Sequence, residues 1–85
     1  LIEGHDLVIL GGDVEMFTVP LPPSLNSKTL SESGIGSRTG LSVVAIEQDS
    51  QIVTTLHASM KLEAGIDLIM LGTAQQRRTF TETFS

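Results

Sequence analysis

Short apolar runs alternate along this chain with polar breaks marked by Gly or Pro, and the breaks divide it into elements. Leu7-Val8-Ile9-Leu10, closed by Gly11-Gly12, reads as a buried strand. Met16-Phe17-Thr18-Val19 reads as a second strand. It is stopped by Pro20, Pro22 and Pro23, which cannot donate to a sheet ladder. Residues 24–37 are rich in Ser and Gly and read as partly loop. Within them, Thr29-x-x-Glu32 has capping-box spacing and Gly34 is a natural helix stop, which predicts one short helix around Leu30 to Ser33.

The run Leu41-Ser42-Val43-Val44-Ala45-Ile46 is the strongest strand signal. After the polar, turn-like 47–50, the β-branched 51–55 returns, so a hairpin is expected. Residues 57–61 connect to a further buried strand, Ile66 to Leu71, closed by Gly72. Thr73-x-x-Gln76 repeats the capping-box spacing, and residues 74–84 read as a helix. Its Ala74, Arg77, Phe80 and Phe84 share a face, with both Phe rings expected on the sheet and Arg77 at the stripe's edge. The predicted fold class is α/β of the α+β kind: a small, mostly antiparallel sheet with helices packed on one side.

The chain also resembles itself. Residues 1–12 align with 62–73, with identities at Leu1/Leu62, Gly4/Gly65, Asp6/Asp67, Leu7/Leu68, Leu10/Leu71 and Gly11/Gly72. One reading makes 1–12 the tail of a preceding copy of the domain, leaving 13–85 as the domain proper. The other is that two buried strands ended by Gly simply look alike.

Composition narrows the function. Eighty-five residues make one domain. A chain of this size buries only about 60–65% of its unfolded surface, so its stability margin is thin. With Leu1 in place of Met, an excised segment that leans on a partner subunit is expected. The absence of Cys excludes disulfides and thiolate metal sites. A net charge of -5 disfavours nucleic acid and anionic membrane surfaces, and three Phe with no Trp or Tyr offer little for base stacking. No signal peptide is visible, and no apolar run approaches the roughly 18 residues of a membrane span.

Candidate chemistry is sparse. Gly34-x-Gly36 has Thr39 where a dinucleotide fingerprint needs its third Gly, and no strand directly precedes it. His5 and His57 lack the spacing of a metal site, so no metal or cofactor is expected. With no Cys nucleophile and no Gly-x-Ser-x-Gly elbow, catalysis is not expected. Ser24, Ser27, Ser31, Ser33 and Ser37 fit loop and capping roles. Arg77-Arg78 is either a solvated helix face or, with Arg38 and Lys28, a source of positive charge for an anionic ligand.

Several pieces in order resemble the C-terminal domain of potassium-conductance regulators, the RCK_C or TrkA-C family. They are Lys28-Thr29-Leu30-x-Glu32, Arg38-Thr39-Gly40-Leu41-Ser42-Val43-Val44-Ala45-Ile46, Ile52-Val53-Thr54, and Leu62-Glu63-Ala64-Gly65 leading to Leu68-Ile69-Met70-Leu71-Gly72-Thr73. The resemblance implies a cytoplasmic regulatory domain that forms a homodimer and serves a membrane-embedded potassium channel or transporter subunit. A small-molecule ligand, nucleotide-like or an ion, would bind near the two-fold axis and bias gating. By position in the motif, Ile35, Gly36, Arg38, Gly40, Leu41, Val43 and Ala45 are the ligand-binding candidates. The alternative it implies is a pairing module without ligand, in a tandem array of another ion or carboxylate transporter.

Three positions depart from the family's pattern. Gly36 stands where members that bind cyclic di-AMP usually carry Arg. Thr55-Leu56 replaces Asn-Pro, and Gly65-Ile66-Asp67 replaces Gly-Asp. Cyclic di-AMP is therefore not the expected ligand.

Overall fold

The computed structural model describes residues 7–84. Five strands form one sheet: β1 (Leu7–Gly11), β2 (Val14–Pro20), β3 (Ser42–Gln48), β4 (Gln51–Val53) and β5 (Asp67–Thr73), in the order β1-β2-β5-β3-β4. Every neighbouring pair is antiparallel. Between β2 and β3 lie a 3-10 turn (Pro23–Leu25) and two short helices, α1 (Leu30–Ser33) and α2 (Ile35–Thr39). Helix α3 (Ala74–Phe84) follows β5. The expected α+β architecture is thus present, and the structure adds a second short helix, α2, beyond the one expected around Leu30 to Ser33.

Period-two alternation explains the core. Phe17 of β2 and Leu68 and Met70 of β5 are buried on the same face as Phe80 and Phe84 of α3, Ile35 of α2 and Leu25 of the 3-10 turn. Burying each such side chain contributes about 1.5–3 kcal/mol. Both capping boxes form. The Thr29 Oγ1 accepts from the Glu32 N–H at 3.1 Å while the Thr29 N–H donates to Glu32 Oε1 at 2.9 Å. Thr73 and Gln76 repeat the exchange at 3.1 and 2.9 Å. The connecting segment 57–61 is pinned beside α1: the Leu30 N–H donates to the Met60 carbonyl and the Leu62 N–H to the Lys28 carbonyl.

Three expectations change. Leu10 is 53% exposed, because β1 is the sheet's edge and not an interior strand. Glu47 and Gln48 belong to β3, and the turn is only Asp49-Ser50, both with positive φ as a type I′ hairpin turn requires. Gly72 does not end its strand, which continues through Thr73. Its role is steric: a Cβ there would collide with the Leu41 Cδ2 atom lying over it and come within 2.6 Å of Gln76 Oε1. Of the self-similar segment, residues 1–6 lie outside the described residues. The remainder, β1 and β5, pair with opposite sides of β2.

Candidate functional site

Helix α2 and the start of β3 carry all seven expected ligand-binding residues, and the fold disperses them. Ile35 and Leu41 are each 2% exposed and belong to the core. They are held there by Thr39, whose hydroxyl donates to the Ile35 carbonyl at 2.6 Å and accepts from the Leu41 N–H at 3.1 Å. Gly36, Arg38 and Gly40 are exposed. Gly40 closes α2 with φ 84, where a side chain would be strained and would meet Gln76 Nε2 at 2.6 Å.

In an unbroken strand, Val43 and Ala45 would share a face. A register shift between them prevents this: Val43 pairs with Met70 and Ala45 with Ile69. Val43 therefore packs against the core, while Ala45 is buried outside it on the opposite face. Among the described residues, Arg38 is the one candidate that lines a cavity.

That cavity is a cleft of about 240 Å3, lined by residues of the 3-10 turn, α1, α2 and the end of α3. Arg38 extends along it with its guanidinium carbon 5.1 Å from the centre of the Phe84 ring. Lys28 and Glu32 stand at the same cleft. The Glu32 carboxyl is held below its ordinary range by the Thr29 backbone N–H first, then by the Thr29 hydroxyl contact and the charges of Lys28 and Lys61. Phe84 under Arg38 is a partner the sequence reading missed. Nothing in the spacing signals it, because the two meet only when α3 folds back across α2.

The other basic helix residues go elsewhere. Arg77 Nε donates to Glu15 Oε1 at 3.2 Å and sits over the Phe17 ring. Arg78 bonds Gln75. Neither joins Arg38. A second cleft of about 260 Å3 is walled by Pro20, Pro22, Pro23 and the Gly65 turn, where the Ala64 N–H donates to Asn26 Oδ1 at 2.9 Å. A third, of about 380 Å3, lies between the β1–β2 turn and the start of α3. Among the described residues no cluster of His, Cys, Asp or Glu could hold a metal, and no helix is long and apolar enough to cross a membrane. His57 is exposed, and His5 lies outside the described residues.

Comparison with known proteins fits this architecture. The TrkA-C domain profile matches residues 14–85. The chain belongs to the TrkA-C domain family. It is similar to the GsuK channel bound to NAD, at 35% identity with a TM-score of 0.77, covering 85% of this chain and 14% of that one. The RCK C domain of the potassium transport protein KtrA, solved with cyclic diadenosine monophosphate, shares 18% identity and a TM-score of 0.74, covering 80% of each chain. The RCK_C domain dimer of S. agalactiae BusR, solved with c-di-AMP, shares 17% identity and a TM-score of 0.70, covering 81% of this chain and 93% of that one. A longer BusR chain, of which the match covers 34%, was solved with promoter DNA. No curated protein matches. The chain spans about a seventh of the channel structure it resembles.

Proposed function

We propose that this chain is a cytoplasmic regulatory domain that binds a small ligand, pairs with a second copy, and couples binding to gating of a potassium channel or potassium-uptake transporter. The observation that carries this reading is the family match across residues 14–85, together with 35% identity to a channel's domain. Ligand binding regulates only through differential affinity for two arrangements of the assembly.

We read the domain as non-catalytic. The hydroxyls of Ser33 and Ser37 cap backbone carbonyls of α1 and α2, and that of Ser24 reaches the Phe84 carbonyl. Each is used structurally, and none bonds a histidine among the described contacts. DNA in a relative's complex narrows the expectation about nucleic acid to this segment, whose charge of -5 disfavours a phosphate backbone.

One alternative has support: a pairing module without ligand in a tandem array. Gly36 in the place of Arg, and the burial of Ile35 and Leu41 in the core, favour it. Thermal melting with NAD, cyclic diadenosine monophosphate and divalent ions, alongside sedimentation, separates the two. A ligand at 100 times its Kd stabilises by about 2.7 kcal/mol, a readily measured rise in Tm. A rise with a dimer supports the regulatory reading. A dimer with no rise supports the pairing module, and a strict monomer with no rise rejects both.

A further inference from the structure

The sheet has two faces, and the helices cover only one of them. On the covered face Phe17, Leu68 and Met70 share a core with residues of α2, α3 and the 3-10 turn. Strand alternation sends Val14, Met16, Ile69, Leu71, Ala45 and Ile52 to the other face. There Met16 pairs with Leu71, and Ile69 with Ala45. Val14 and Ile52 are 42% and 54% exposed, and Met16, Ile69 and Leu71 are half-buried without joining the core. An antiparallel sheet with a solvated face ordinarily carries polar residues on it. This face does not, and β5 is apolar without a break from Leu68 to Leu71, the pattern of a strand covered on both sides.

The charges on this outer face are of one sign. Glu47 and Asp67 stand directly opposite each other across β3 and β5, with Ile52 beside them on β4. Like charges in such a pair repel and destabilise the sheet. Both residues are half-buried, and among the described residues neither carboxylate has a basic nitrogen within 4.0 Å. None of the five strands contains Lys or Arg. The five cations sit instead on α2, on α3 and in connecting segments.

We propose that the outer face docks an amphipathic helix from a neighbouring part of the channel or transporter assembly, with the helix's Lys or Arg border set against Glu47 and Asp67. The inference rests on the regulatory reading above and names the surface through which the domain acts on its assembly. The apolar residues run diagonally from Val14 on β2 to Ile52 on β4, about 25 Å, the length of a helix of about 16 residues. This sheet already takes a helix on its opposite face, where α3 packs through Phe80 and Phe84. Charge decides against a second copy as the occupant. Laid face to face, a copy would bring two more carboxylates and no cation, and would desolvate all four without partners. A partner bearing Lys or Arg gives Glu47 and Asp67 charge-assisted bonds. Pairing of two copies therefore uses another surface.

The test uses the whole chain and two synthetic helical peptides of about 16 residues with the same leucine stripe, one bordered by Lys and one by Glu. Amide NMR with the Lys peptide should give saturable shifts at Met16, Ala45, Ile52 and Ile69, and the Glu peptide should bind at least about tenfold more weakly. Glu47→Gln combined with Asp67→Asn should remove that difference. Ile52→Ser should weaken the Lys peptide severalfold, while Arg38→Gln, on the helix side, leaves it unchanged. In sedimentation, any dimer should survive Ile52→Asp. No saturable shift with the Lys peptide overturns the proposal, as do shifts confined to α2 and α3 or equal affinity for the two peptides. A dimer dissolved by Ile52→Asp overturns it too, because a second copy then covers the face. If nucleotides raise Tm and the Lys peptide does not bind, the docking face fails and the regulatory reading survives. If the Lys peptide binds as expected and no ligand raises Tm, the regulatory reading fails and the docking face stands. Dispersed spectra of the variants, all at exposed or half-buried positions, show that they fold.

Discussion

β1 and β5 are near copies in sequence, yet they have different fates. Leu7-Val8-Ile9-Leu10-Gly11 and Leu68-Ile69-Met70-Leu71-Gly72 run in the same direction on opposite sides of β2, both antiparallel to it. β5 is the third of five strands; β1 is an edge. Leu68 and Met70 have no exposed surface and Leu71 is half-buried, while Leu10, the partner of Leu71 in the alignment, is 53% exposed. A Cβ on Gly72 would strike Leu41 and Gln76, whereas nothing lies within 4 Å of a Cβ on Gly11. An apolar run ended by glycine specifies a strand. Its neighbours decide whether the strand carries stability.

Substitutions can break that contrast, and urea unfolding midpoints measure them. Met70→Ala should have the largest effect, about 2–5 kcal/mol of lost stability, because it opens a cavity in the fully buried strand. Gly72→Ala should cost about 1–3 kcal/mol by overpacking Leu41 and displacing the Gln76 amide from its cap. Its partner in the alignment, Gly11→Ala, meets no atoms but must hold φ 136, so about 1 kcal/mol is expected. Leu10→Ser should change stability by less than about 0.5 kcal/mol. A Leu10→Ser cost equal to that of Met70→Ala would show that β1 is covered in the assembled protein.

The two capping boxes sharpen the same lesson in their response to pH. At α3 the partner is Gln76, which does not titrate; at α1 it is Glu32. Glu32 has its pKa depressed in the folded chain, so its contribution is complete above the unfolded value and is lost as pH falls through the folded one. Stability should decline across that acid window in wild type and decline less in Glu32→Gln. Amide protection, taken relative to the intrinsic exchange rate at each pH, should fall with acid at α1 and not at the start of α3. An equal fall at both would disprove the assignment.

Much of the fold was legible beforehand. Both capping boxes, the α3 span, the β3–β4 hairpin and the Phe80/Phe84 stripe follow from spacing, because period and capping are local properties. Helix α2 was not legible, since Gly34, Gly36 and Ser37 are poor helix formers. It forms because Ile35 and Thr39 are buried against the core. The candidate site was the least legible part. A ligand-facing surface along 35–45 was expected, but the shift between Val43 and Ala45 turns the two residues to opposite faces.

Residue order alone therefore determined most of the elements, the capped starts of α1 and α3 and the family, through periodicity, caps and the ordered motifs between Lys28 and Thr73. Tertiary structure alone decided that one of two similar strands lies inside the sheet, that Gly72 is a seat for Leu41, and that Arg38 meets Phe84 beside Lys28. The physical reason is that burial and charge pairing depend on neighbours distant in sequence, and these are set only when the sheet and its helices close on one core.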